Sequence, residues 1–344
     1  MRHSLVVRTA AAIALLFVSA IAARAQIYES VGIRAQGMGG AFVAVADDAT
    51  ATWWNPAGLA TGAYGNALIE YGLMQEPRVA TDAGAALPSW RTNARGLAMA
   101  FPAMGLSYYR LRFSEVRPVA STATTSLSRE DQGRVPVLST SLVLQQFGAT
   151  VGQSVGRHLV LGSTVKVVRG AIGAAVGVAA DASLGSASGL GGDTETHLDL
   201  DVGLMGKFGA FRVGAAAKNV REPQFGTGAD RTSLQRQIRA GLAVTSTQHG
   251  TVGPMTFAVD ADLSRTRTAT GDARHVAAGA EAWVFGRSLG LRGGVSGNTL
   301  GAVRPAAGAG LSLALRSGTY LDGAATLGAD QERRGWGVAL RATF

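Results

Sequence analysis

The chain has 344 residues, no cysteine, 47% hydrophobic residues and a formal net charge of +9 at pH 7. Without cysteine there are neither disulfides nor a lipid-bearing thiol, and the arginines are dispersed instead of gathered in basic runs, so nothing in the sequence points to nucleic acid. Beyond residue 25 no apolar stretch reaches the roughly twenty residues that a membrane-spanning helix needs. A membrane β-barrel reconciles high apolar content with the lack of runs, because each strand shows lipid only every second residue.

Arg2, His3 and Arg8 precede an apolar run over 10–23, and Ala23-Arg24-Ala25 fits a small-x-small cleavage site. Residues 1–25 therefore read as a signal peptide cut before Gln26. The mature chain stays basic, which suits arginines on loops facing an anionic membrane surface.

Residues 26–64 are too few for a domain of their own. Gly37, Gly39 and Gly40 permit tight backbone conformations, positive φ included. Residues 41–51 can form a short helix whose only charges are Asp47 and Asp48. Asn55, ahead of Pro56, is pushed towards extended geometry and ends any helix there. The glycine cluster lacks the spacing and the βαβ surroundings of a dinucleotide loop. A compact segment ahead of a barrel's first strand is expected inside the lumen, as a plug; residues 65–344 are expected to form the barrel.

About fourteen antiparallel strands follow: 66–75, 93–101, 104–116, 137–155, 158–169, 196–208, 210–219, 234–247, 254–265, 274–285, 288–296, 305–315, 318–328 and 335–344. In the last, Trp336, Val338, Leu340 and Phe344 share one face; Gly337, Ala339 and Arg341 share the other. Short turns at Pro102-Ala103, Gly156-Arg157, Gly209, near His249-Gly250, Gly286-Arg287 and Arg316-Ser317 alternate with longer polar connections such as 76–92, 117–136, 170–195 and 220–233. That alternation, with both termini on the short-turn side, is the signature of an outer-membrane barrel. The terminal aromatic strand, with Trp336, Leu340 and Phe344, looks like the signal read by the barrel insertion machinery. The expected location is the outer membrane of a Gram-negative-type bacterium, among its lipid and lipopolysaccharide.

The face opposite the apolar one carries small residues and charges. Arg110, Arg112, Lys166, Asp199, Asp201, Lys207, Arg212, Lys218, Arg239, Asp260, Asp262, Glu281, Arg292 and Arg341 are read as lumen residues whose opposite charges pair across strands. Arg110 or Arg112 is the candidate for fixing an anionic head group. Aromatic residues make up only 6%, and no outer loop is conspicuously apolar, which counts against a long-chain fatty-acid pocket. His197, Asp199 and Asp201 share one strand face at spacings a metal could use, yet ion pairs are the preferred reading, and no metal or cofactor is assigned. The remaining histidines have no accompanying Ser or Asp motif, so an enzyme is not expected.

The segment GMGGAFVAVADDATATWWNPAGLA resembles the N-terminal hatch of the FadL superfamily of outer-membrane transporters, including its PorV-like branch. The matching elements are Gly37-Met38-Gly39-Gly40-Ala41, Ala46-Asp47-Asp48-Ala49 and Asn55-Pro56-Ala57-Gly58-Leu59. Ala217-Lys218-Asn219-Val220 with Pro223-Gln224-Phe225 also looks like a strand end common in PorV-like relatives. The resemblance implies a 14-stranded barrel plugged by its hatch, passing hydrophobic or amphipathic molecules to the bilayer through an opening in the wall. Pro102 and Gly105 are candidates for the disrupted pairing such an opening needs. The PorV-like branch implies a second possibility, a barrel that binds a secreted partner protein.

Overall fold

A computed structural model describes residues 28–62, 64–76, 89–118, 136–227, 231–246, 252–268, 271–329 and 333–344. The expected signal peptide and the expected turn at His249-Gly250 lie outside the described residues.

Among the described residues fourteen strands close into a barrel. They are β1 (Asn66–Glu76), β2 (Ser89–Phe101), β3 (Met104–Pro118), β4 (Pro136–Val155), β5 (Leu159–Val178), β6 (Thr194–Phe208) and β7 (Phe211–Lys218). The second half comprises β8 (Gln237–Thr245), β9 (Val252–Asp262), β10 (His275–Val284), β11 (Leu289–Asn298), β12 (Ala306–Arg316), β13 (Thr319–Gly328) and β14 (Arg334–Thr343). Each strand pairs antiparallel with its sequence neighbours, and β14 returns to β1. Closure is finished by Gly65 and Phe344, which exchange backbone hydrogen bonds of 2.7 and 2.9 Å. Closure pairs the first strand with the last, so neither is left as an edge.

Side chains alternate strictly across the wall. Trp336, Val338 and Leu340 are each almost half exposed, while Ala339 between them and Arg341 after them are buried. Phe344 is exposed beside Phe101, edge to face at 6.4 Å. The outward surface is thus mainly apolar and most of the strand charges point inward, the inverse of a soluble sandwich.

All fourteen expected strands are present, with altered ends. β5 runs nine residues past the expected 169, because 170–178 alternates alanine and glycine too weakly to read as a strand, yet pairs residue by residue with β4. The β2–β3 ladder is unbroken from Phe101↔Met104 to Ser89↔Val116, so Pro102 and Gly105 do not mark an opening. Pro102 sits in the turn, where its missing N–H removes no ladder bond. A Cβ on Gly105 would meet Thr52 and Leu59, so this glycine makes room for the plug.

The wall is uneven in height. β2–β6 have 13 to 20 residues, whereas β7–β14 have 8 to 11. β6 pairs with β7 only from Val202 onward, so its upper part, 194–201, has no strand on that side. The 179–193 connection, which contains helix α3 (Leu184–Ser188), turns down over the outside of the taller wall. There Ala187 packs with Val116 and Val137, and Gly191 lies against Gly173; all three wall residues have outward parity.

Candidate functional site in the lumen

Residues 28–62 fill the lower lumen with short turns: α1 (Ile33–Gly37), α2 (Ala51–Trp54) and a 3-10 turn over Pro56–Thr61. Residues 41–50 are not the expected helix. Asp260 on β9 instead accepts from the backbone N–H groups of both Phe42 and Val43, at 2.7 Å each, and turns take over. Asn55, at φ −159°, ends α2 in the extended geometry its proline dictates. Its amide donates to Val43 O (2.9 Å) and to Leu204 O on β6 (3.1 Å), and its Oδ1 accepts from Ala57 N–H. Pro56 packs against Gly162 and Gly203 of the wall.

Close approach to the wall depends on glycine. Gly39 adopts φ +66°, and a Cβ there would lie 2.8 Å from Val295 N and 3.0 Å from the carbonyl carbon of Gly294. Gly40 also has positive φ, and Gly37 lies against Gly310 of β12.

Charges tie plug to wall. Arg34 bonds Asp47 (2.8 Å), Asp48 (2.7 Å) and Glu281 of β10 (2.8 Å). Glu281 continues to Arg292 at 2.5 Å, Arg292 reaches Ser312 at 2.6 Å, and Ser312 bonds Asp322, which holds Arg341 at 2.9 Å. Arg239 clamps Glu29 of the plug (2.5 Å) and Asp262 (2.6 Å). Glu70 accepts from Gly32 N–H at 2.9 Å, and Arg212 stands 3.7 Å from Asp47. Burial alone would raise the carboxyl pKa of Asp48 and Glu29; the guanidiniums of Arg34 and Arg239 override it and hold both below their ordinary values.

Above the plug the lumen changes character. Along β2–β5 the inward positions form three register rows: Gly96–Tyr109–Gln146–Val168, Ala94–Leu111–Leu144–Gly170 and Thr92–Phe113–Leu142–Ile172. Leu111, Leu144 and Val168 are fully buried in this panel. Trp53 of α2 closes it from below, edge to face with Tyr109 at 5.2 Å, and the Lys218 ammonium lies 3.0 Å from the Trp53 ring centroid. Phe225 and Leu234 from the 219–236 connection join the same apolar cluster, Phe225 lying against Gly170. The Thr92 hydroxyl and the Gln146 amide nitrogen have no hydrogen-bond partner among the described residues. An apolar panel with a few unspent polar atoms is the usual make-up of a small-molecule site.

The acidic face of β6 carries the connection that packs over this panel. Asp201 accepts from Asn219 N–H (2.8 Å), Asp199 from Arg221 N–H (3.0 Å), and Glu195 from Gly226 N–H (2.8 Å). Lys166 neutralises Asp201 and Asp199 at 2.7 and 3.2 Å. Asn219 has φ +54°, a conformation asparagine tolerates, and it turns the chain from β7 into this connection.

Two expected lumen residues are misplaced. Arg110 and Arg112 lie on the face of β3 that carries Met104, Leu106 and Tyr108, which is outward; Tyr109, Leu111 and Phe113 point inward. A strand reverses every side chain for a one-residue change of phase, so choosing the arginine face as the lumen hid the apolar panel. Lys207, with inward parity, is exposed next to the short β6–β7 turn.

A family model described as "F plasmid transfer operon, TraF, protein" matches residues 70–262, more than half of the chain. The chain belongs to this family. No curated protein matches this TraF-family chain by sequence. Solved structures do match by fold. The toluene transporter TbuX of Ralstonia pickettii has TM-score 0.63 at 13% identity, over 92% of this chain and 99% of the other. The toluene transporter TodX of P. putida gives 0.60 at 14% identity, over 92% and 99%. A FadL homologue from Pseudomonas aeruginosa gives 0.58 at 10% identity, over 94% and 99%. This TraF-family chain therefore has the FadL/TodX-like 14-stranded barrel.

Proposed function

We propose that the protein is an outer-membrane channel of a Gram-negative-type bacterium that passes hydrophobic or amphipathic small molecules and releases them sideways into the bilayer. The observation that carries this reading is the apolar panel around Leu111, Leu144 and Val168 above a plug bonded to the wall on several sides. A molecule resting there keeps its apolar surface out of water, and the plug obstructs the axial route below it. In this reading the exit is where 194–201 of β6 lacks a strand partner and the wall is the 219–226 segment, held by carboxylates and by Val220 N–H to Leu200 O (3.0 Å). The fold shared with toluene transporters supports a neutral apolar cargo.

The test is uptake of a radiolabelled monoaromatic hydrocarbon by cells with and without the gene. Loss on deletion, restored by the native chain and not by a Leu111→Asp/Leu144→Asp chain of equal abundance in the outer membrane, supports transport. Equal uptake in all strains refutes it.

The family description favours a second reading, a barrel that serves a transfer or secretion apparatus by holding a partner protein. Stoichiometric co-purification of a partner from the native membrane, with uptake unchanged on deletion, would select it.

A further inference from the structure

Outward charges on β1–β11 are of one sign and on one side. The outward positions of β6–β11 carry no charged side chain, and those of β1–β5 carry no carboxylate. Five arginines nonetheless face outward on β2, β3 and β5: Arg91, Arg95, Arg110, Arg112 and Arg169. Three of them share the register row Tyr71–Arg95–Arg110–Gln145–Arg169. Each of the three stands on the loop side of an exposed apolar run on its own strand, Leu97 to Phe101, Met104 to Tyr108 and Leu161 to Val167 respectively. None of the five forms an ion pair among the described residues; Arg91 bonds Gln75 (3.0 Å), and Arg95 lies 5.6 Å from the Tyr71 ring centroid. Farther up the same strands, the 179–193 connection covers the outward face.

An unpaired guanidinium on a lipid-facing wall is costly at mid-depth and costs little at the interface. Arginines gathered at the upper edge of an apolar belt, with no acid beside them, call for anions supplied by the surroundings. The anion must come attached to hydrocarbon, because the belt begins one step below. We propose that this arginine sector binds the phosphate groups of a phosphorylated glycolipid of the outer leaflet, whose acyl chains lie on the apolar runs beneath. Guanidinium forks present paired N–H donors that match phosphate oxygens. The site rests on the membrane-spanning reading above and is independent of any cargo.

The full processed chain, folded in neutral detergent and checked by heat-modifiable gel mobility, is titrated with diphosphorylated lipid A and with its dephosphorylated form, bound lipid being counted by native mass spectrometry. The wild type is expected to prefer the phosphorylated form, and Arg95→Gln/Arg110→Gln/Arg169→Gln to bind it about a hundredfold more weakly, at about 1 kcal/mol for each arginine near a charged surface. Should the triple variant not fold, Arg110→Gln alone is expected to lose about fivefold. Equal binding of both lipid forms, or equal binding by wild type and variant, overturns the proposal, as does an acidic protein held by these arginines in place of lipid. Failure of the wild type to enter any bilayer would instead refute the reading beneath it.

Discussion

The guanidinium of Arg34 forks onto the carboxylate of Glu281, with Nη2 2.8 Å from one oxygen and Nε 3.1 Å from the other. Residues 247 positions apart are thereby joined, and the plug is bonded to β10 through a buried charge pair. Removing one partner of such a pair costs about 3–5 kcal/mol, since the other is left uncompensated. Arg34→Met should therefore speed hydrogen exchange of the plug amides, 31–59, while the strand amides keep their protection. Equal protection of the plug in variant and wild type would show that the pair does not hold it.

Acid should loosen the same segment. Glu29 and Asp48 have folded-state pKa values below their ordinary ones, so their contribution to plug docking is complete above the unfolded values, near 4, and declines as pH falls towards the folded ones. Hydrogen exchange at pH 4.5 and at pH 3, corrected for the intrinsic rate, should show plug protection that declines between the two. Protection that is the same at pH 4.5 and at pH 3 would contradict it.

Backbone seating gives a sharper contrast. Gly286 and Gly39 both have positive φ, but a Cβ on Gly286 meets nothing within 4 Å, whereas one on Gly39 meets the backbone of β11. Gly286→Ala should cost about 1–2 kcal/mol, the strain of a left-handed residue. Gly39→Ala should cost more and should expose the plug to protease in the folded barrel. Equal susceptibility of the two variants would contradict the close approach.

In the apolar panel, Leu144→Ser should weaken retention of a fluorescent apolar probe by about tenfold, the usual worth of a few lost methylene contacts. Arg112→Gln, on the opposite face of β3, should leave retention unchanged. A larger effect from Arg112→Gln would return the arginine face to the lumen.

The barrel was legible because its signal is repeated fourteen times: Trp336, Leu340 and the leucines of β12 announce the period of two wherever apolar and polar neighbours contrast. Where contrast fails it was not legible. On β5 the run from Gly170 to Val178 offers only small and aliphatic residues, so this extension of the strand was missed. On β3 both faces carry bulk, with Tyr108, Arg110 and Arg112 on one and Tyr109, Leu111 and Phe113 on the other, and the assumption that charge marks the lumen chose wrongly. The roles of Asp199 and Asp201 were half visible. Their pairing with Lys166 follows from neighbouring strands, but their grip on Asn219 and Arg221 depends on how the connection after β7 folds back. The Lys218-Asn219 and Pro223-Gln224-Phe225 pattern was the one available sign of that connection.

Each strand of the wall should face lipid on one side and the plugged lumen on the other. Because the chain has no cysteine, single cysteines from 336 to 341 can be labelled with a fluorophore in reconstituted bilayers and quenched with brominated lipid. Strong quenching at 336, 338 and 340 with little at 337, 339 and 341 is the predicted result. Uniform quenching along the strand, or a polypeptide that stays in solution without detergent, would contradict it.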